Sequence, residues 1–322
     1  MNNIKRLLTV LLCAALLSTC VFAQSVDPYR DDCTLTVRCK HEVEGVLFSI
    51  WQVGKIDQNA SFTKTSDFAG ARVNLNNTGD WADLAETLAG FAESRKIDPL
   101  ETDDTNKQGR AVFRDLRAGL YLVVGQPYTV DNKVYQTEPF LVSLPTRSDN
   151  TQPWDYDVLT AIKASEWVDN VETDEVSVLK IWSGDDDSLV RPASITVQLL
   201  QNGLVYDTVT LNRRNNWEYQ WTGLPAGSVW RVAEVDVPEE YFVLVRRNDN
   251  DFVIINTYEN LKKPQIPEWP GDSDIVDIPD GDVPLDRPTL PETGTTQWIV
   301  PLLLSAGMVL FLMGLLRRRQ EG

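Results

Sequence analysis

The stretch Val176-Ser177-Val178-Leu179-Lys180-Ile181-Trp182 decides how this chain folds. Successive side chains of a strand point to opposite faces, so Val176, Val178, Lys180 and Trp182 share a face. Three of these four are apolar, which turns the face inward and takes Lys180 into a core. The run Trp230 to Glu234 likewise puts Trp230, Val232 and Glu234 on one face. The run Phe252 to Tyr258 puts Phe252, Ile254, Asn256 and Tyr258 on one face. Each inward face carries one polar residue. An unpaired buried lysine is very costly, so the economical arrangement brings Lys180, Glu234 and Asn256 together. Such a trio is either a plain hydrogen-bonded network or a reactive one.

Outward from this stretch, short alternating runs recur with turn signals between them. They include Thr34–Val37, Val46–Val53, Ala111–Phe113, Tyr121–Val124 and Ile195–Leu200. This spacing predicts an all-β fold of immunoglobulin-like sandwiches. One helix interrupts it: Trp81, Leu84, Ala85, Leu88, Phe91 and Ala92 recur at helical spacing, with Asp80 as the expected N-cap. The polar stretch Ser165–Asp174 divides the pattern. Two tandem domains follow, over residues 31–165 and 171–261, the first with the inserted helix.

Cys33, Leu35, Val37 and Cys39 share a strand face. Six residues of strand span roughly 20 Å, beyond disulfide reach. Cys33 and Cys39 are therefore two buried thiols unless the chain turns back there, in which case a disulfide stays open. Cys13 and Cys20 lie in the leader.

Residues 1–23 read as a signal peptide, with Lys5 and Arg6 before the apolar run Leu7 to Leu17 and cleavage after Ala23. A lipoprotein reading would use Cys20, but Thr19 is a poor residue to precede a lipidated cysteine. At the other end, the 19 residues Trp298–Leu316 form an apolar stretch long enough for a membrane helix. Arg317, Arg318 and Arg319 follow, and such a cluster stays on the cytoplasmic side. Residues 262–289 are rich in proline and acid, cannot pack a core and read as an extended wall-spanning linker.

The whole chain has 322 residues and a formal charge of -17. Removal of both ends takes away five basic residues and one acidic residue, leaving -21. A surface that acidic repels nucleic acid and anionic lipid, which excludes both as partners.

Leu290-Pro291-Glu292-Thr293-Gly294, ahead of the apolar stretch and basic tail, resembles a cell-wall sorting signal over residues 290–322. The resemblance implies that a sortase cuts between Thr293 and Gly294 and passes the Thr293 carbonyl to an amine. The run Val176–Trp182 resembles a collagen-adhesin B-type (Cna-B) domain. So do Arg191-Pro192, Ile195–Leu200, Asn216-Trp217, Gly223-Leu224-Pro225, Val232-Ala233-Glu234 and Ile255-Asn256-Thr257-Tyr258. In that family a strand lysine and a terminal asparagine form an isopeptide bond promoted by an acid. The resemblance implies Lys180 as nucleophile, Asn256 as electrophile and Glu234 as proton shuttle.

Residues 33–164 resemble the N-terminal domain of sortase-assembled pilins, through Gly45–Trp51, Gly109–Phe113, Leu116, Gly119–Val123 and Pro139–Pro145. Cys39 stands where a B-type lysine would, and Gly125 where the acid would, so this domain is expected to form no isopeptide bond. Trp154, Val158 and Lys163 keep the spacing of a pilin motif, while Thr160, Ala161 and Ile162 replace its Val-Tyr-Pro. Lys163 is either an amine that attacks a neighbour's threonyl thioester or a surviving surface lysine.

Other signals carry less. Asp103-Asp104-Thr105-Asn106 before Gly109 fits a hairpin turn better than a calcium loop. Asp185-Asp186-Asp187 reads as a solvated loop. His41 is the only histidine, next to no nucleophile elbow. No turnover enzyme, metal or cofactor is expected. The resemblances imply a structural cell-surface protein, a minor or basal pilin joined covalently to peptidoglycan or to other pilins. Its partners would be a sortase, peptidoglycan and other pilin subunits. The alternatives are a monomeric adhesin for a host matrix protein, and a shaft pilin polymerised through Lys163.

Overall fold

Alternating sequence runs become strands wherever one face finds a partner to bury against. In the computed structural model, which describes residues 25–147, 152–167, 173–185 and 191–258, most of the chain is β-sheet. The signal peptide, the linker 262–289, the sorting motif Leu290–Gly294 and the stretch Trp298–Leu316 lie outside the described residues. Among the described residues no helix is long and apolar enough to cross a membrane.

In chain order the first half comprises β1 (Cys33–Arg38), β2 (Leu47–Ile56), β3 (Phe62–Lys64), α1 (Trp81–Arg95), β4 (Glu101–Asp104), β5 (Arg110–Leu116) and β6 (Gly119–Gly125). It continues with β7 (Tyr128–Val130), β8 (Lys133–Thr137), β9 (Phe140–Leu144), β10 (Asp157–Ala161) and β11 (Ala164–Trp167). One sheet has the order β10-β1-β5; another has β3-β2-β6-β9, with β4 also on β2. Their facing sides share a core built from Leu35, Val37, Phe48, Ile50, Phe113, Tyr121 and Val123, which alternation along each strand aims inward. Val26 joins this core, so ordered packing starts ahead of residue 31. A small sheet, β11-β8-β7, carries the chain on to Trp167, into the polar stretch read as a boundary.

The second half comprises β12 (Thr173–Ser183), β13 (Ser194–Gln201), β14 (Leu204–Asn212), β15 (Glu218–Pro225), β16 (Trp230–Val235), β17 (Tyr241–Asn248) and β18 (Asp251–Tyr258). The sheets are β15-β12-β18-β17 and β14-β13-β16. Val176, Val178, Phe252 and Ile254 from the first meet Val197, Leu199, Trp230 and Val232 from the second in one core. The first and last strands of this half, β12 and β18, pair in parallel at the centre of their sheet.

The helix is where the sequence reading needs correction. Asp80 makes no side-chain capping bond. A short 3-10 turn, Thr78–Asp80, precedes α1, and Asn77 caps that turn by accepting the N–H of Gly79. The apolar residues Leu84, Ala85, Leu88 and Ala92 are buried as expected, but so are Glu86, Thr87 and Gly90. A helix buried on opposite sides is packed between two partners. One partner is the β2-β6-β9 sheet through Leu120, Leu122 and Leu141; the other is the second sandwich, and all belong to the same core cluster.

Candidate functional site

The parallel register of β12 on β18 sets Lys180 opposite Ile254 and Trp182 opposite Asn256. Lys180 and Asn256 therefore lie diagonally on one sheet face. Glu234 comes from the facing sheet, on β16, where it pairs with Val197 of β13. Interdigitation of the two faces brings the three together. Lys180 Nζ lies 3.8 Å from Glu234 Oε2, with neither side chain exposed. Asn256 Nδ2 donates to Glu234 Oε1 at 2.9 Å. The sequence-derived trio is thus one cluster.

Its electrostatics follow from burial. Desolvation lowers the Lys180 amine to about 7; Glu234 and Asp185 oppose this and Arg191 adds to it. Desolvation raises the Glu234 carboxyl, opposed by Lys180 and by the Asn256 hydrogen bond. Both shifts favour a neutral amine beside a neutral acid. The separation fits, since 3.8 Å is well beyond the roughly 2.7–2.9 Å of a charge-assisted N–O bond. Lys180 Nζ donates instead to the Ile181 carbonyl at 3.0 Å and sits 4.2 Å from the Trp182 ring centroid. Among the described residues, Glu234 Oε2 and Asn256 Oδ1 are buried without a hydrogen-bond partner. Two unsatisfied oxygens and a desolvated amine form a costly cluster unless chemistry resolves it. The arrangement gathers an amine, an acid and a carboxamide in one dry cluster, with the acid on the carboxamide nitrogen.

Asp185, read from sequence as part of a solvated loop, is buried. Asp186 and Asp187 lie outside the described residues. The Asp185 carboxylate receives Arg191 Nε at 2.5 Å, a second bond from Arg191 Nη2, and Tyr241 Oη at 2.7 Å. The Arg191 bond, with lesser help from Tyr241, holds the carboxyl below its usual range. Tyr241 in turn packs edge-on to Trp182, 5.0 Å between centroids. This network fixes the aromatic wall against which the amine lies. An Asp in a run of acids gave no sequence signal of burial; only its tertiary contacts with Arg191 and Tyr241 reveal it.

In the first half, a Cβ on Gly125 would stand 2.4 Å from Phe48 Cε1. Phe48 thus fills the place an acid would need. Cys33 and Cys39 are both free and buried, and desolvation pushes each thiol up to about 11. Lys163 is exposed between β10 and β11, while Val158 is buried and Trp154 lies under the Arg147 guanidinium at 4.1 Å. Asp103 and Asp104 end β4, and the turn follows at Asn106 to Gly109, where the Asn106 side chain accepts the N–H groups of Gln108 and Arg110. His41 packs on Tyr135, 4.5 Å between centroids.

Residues 176–257 match the family model described as Cna protein B-type domain. The collagen adhesin of Staphylococcus aureus is 30% identical over 89 residues, which are 27% of this chain. The chain spans only 8% of that adhesin's length. Among solved structures, the full-length major pilin SpaD from Corynebacterium diphtheriae aligns over 73% of this chain and 66% of its own, at 19% identity and a TM-score of 0.29. The minor pilin GBS52 of Streptococcus agalactiae aligns over 74% of this chain and 100% of its own, at 15% identity and a TM-score of 0.22. The B-type match spans Lys180, Glu234 and Asn256 and ends one residue past the asparagine.

Proposed function

We propose that this chain is a structural protein of a Gram-positive cell surface, a minor or basal pilin subunit stabilised by an isopeptide bond between Lys180 and Asn256. The observation that carries the reading is the buried Lys180–Glu234–Asn256 cluster within the B-type match. The neutral amine of Lys180 attacks Asn256 Cγ. The Nζ–Cγ bond forms, the Cγ–Nδ2 bond breaks, and Nδ2 leaves as ammonia. Neutral Glu234 gives its proton to the leaving nitrogen and takes up the one shed by the amine, so it ends as it began. The reaction occurs once per molecule. Because β12 and β18 are the first and last strands of their sandwich, the bond closes that sandwich against tension.

The sorting-signal resemblance at Leu290–Gly294 supports export and attachment of Thr293 to peptidoglycan or to another pilin by a sortase. The exposure of Lys163 favours a second reading, in which it is the amine that joins a neighbouring subunit. An adhesin for host matrix is the remaining alternative. Intact-mass measurement of residues 24–293 tests the bond. Loss of one ammonia, abolished in Lys180→Ala, is expected; a mass equal to that of the unmodified chain refutes it. Cross-linked peptides from wall extracts then show whether Lys163 or only Thr293 is joined.

A further inference from the structure

Helix α1 belongs by sequence to the first half, yet one of its stripes serves the second. Residues 83, 86, 87, 90 and 93 recur at helical spacing and so share a face. Arg231 on β16, almost fully buried, donates to Glu86 at 2.7 Å and to Glu93 at 3.1 Å. Thr87 Oγ1 accepts the backbone N–H of Val245 on β17 at 2.7 Å. Asp83 pairs with Arg246 at 3.0 Å. At Gly90 the approach is closest: a Cβ there would lie 2.7 Å from the Val232 carbonyl oxygen on β16. Just ahead of the helix, the Arg72 carbonyl accepts the N–H of Val243 at 2.8 Å.

The two strands so covered are sheet edges. Among the described strands, β16 pairs only with β13, and β17 only with β18. Glu234 hangs on β16, and Asn256 on β18 beside β17. The seam between these edges is the side of the sandwich nearest the trio, and α1 lies over it. A cleft of about 270 Å³ borders the seam, lined in part by Arg72, Thr87, Phe91, Glu234 and Val243.

We propose that α1 is a positioning element for cross-linking in the neighbouring sandwich, its Glu86/Thr87/Gly90/Glu93 stripe holding β16 so that Glu234 stays dry and against Lys180 and Asn256. Gly90 and Arg231 are then positioning residues. The first half, whose own acid position is Gly125 under Phe48, licenses the bond of the second. The bond forms only in a chain whose halves have both folded and docked. This rests on reading the trio as isopeptide-forming.

The mechanism is desolvation. The charged groups facing the amine are Glu234 from β16, and Asp185 and Arg191 after β12. If β16 lifts, water reaches the amine, which moves from about 7 back towards 10.5. Its neutral fraction at pH 7 then falls by roughly two to three orders of magnitude.

The test refolds residues 24–293 and follows ammonia loss by intact mass across pH. Gly90→Leu suits the purpose, because leucine favours a helix more than glycine does while its side chain collides with Val232. At pH 7 the Gly90→Leu rate is expected to drop about a hundredfold or more, with the pH–rate profile displaced upward. Arg231→Met, a second route that leaves Gly90 intact, is expected to slow the reaction similarly. Combining Arg231→Met with Glu86→Leu and Glu93→Met rebuilds an apolar contact and is expected to recover the rate and the profile. Wild-type rate and profile in both single variants overturn the proposal, as does a triple variant no faster than Arg231→Met. A wild-type chain that loses no ammonia refutes the trio reading itself, and this inference with it.

Discussion

Replacing Glu234 with Gln should expose the cost of burying Lys180 as a pH dependence of stability. Glutamine keeps the size of the side chain and can still meet Asn256, but it has no proton to relay between the amine and the leaving nitrogen, so no bond forms. The unlinked amine remains buried. In the folded wild-type trio its pKa is about 7, against 10.5 for the unperturbed group. The folded value lies below the unfolded one, so between them the unfolded chain binds one proton more. Stability therefore rises with pH across that window and is lost as pH falls towards 7, at about 1.4 kcal/mol per pH unit. Over the full window this is about 4–5 kcal/mol. Glu234 raises the Lys180 pKa, so its removal should deepen the effect. Urea unfolding from pH 6.5 to 10, with Glu234→Gln/Lys180→Met as the partner variant so that neither chain carries the buried Glu234 carboxyl, isolates the contribution. Both variants lack the bond, and both keep Cys33 and Cys39, whose raised values give an opposite trend above their unfolded range. The difference in unfolding free energy between the two should narrow steadily with rising pH. A difference that is flat across the range would refute the claim that Lys180 is buried as a neutral amine.

Other consequences are as direct. Asp185→Ala removes the partner of Arg191 and Tyr241 and should destabilise the unlinked Glu234→Gln background by roughly 2–3 kcal/mol in urea; no change would mean the network is dispensable. In the first half, Gly125→Ala forces a methyl against Phe48 and should cost about 1–3 kcal/mol, read as a lower urea midpoint. Cys33 and Cys39 should resist iodoacetamide at pH 8 in the folded chain and react in urea, because burial holds both as thiols. Labelling of the native chain within minutes would show the β1 face to be open.

Period-two alternation carried much of this protein in its sequence. Val176 to Trp182 alone placed Lys180 in a core, because three apolar neighbours on a strand face leave the fourth no choice of side. The same argument located Glu234 and Asn256, and the cost of a lone buried charge predicted that they meet. Gly125 likewise marked a missing acid, although only Phe48 shows what fills the space. Alternation speaks to one element at a time, however. It left Asp185 as a solvated residue, since nothing in three successive acids announces that Arg191 and Tyr241 will close over the first. It marked α1 by its apolar stripe of Trp81, Leu84, Ala85, Leu88, Phe91 and Ala92 alone and gave residues 83, 86, 87, 90 and 93 no role. Tertiary structure supplied that role by laying Arg231, Val232 and Val245 against the second stripe. Charge pairing and close approach depend on which distant strand arrives, and local periodicity holds no record of that arrival.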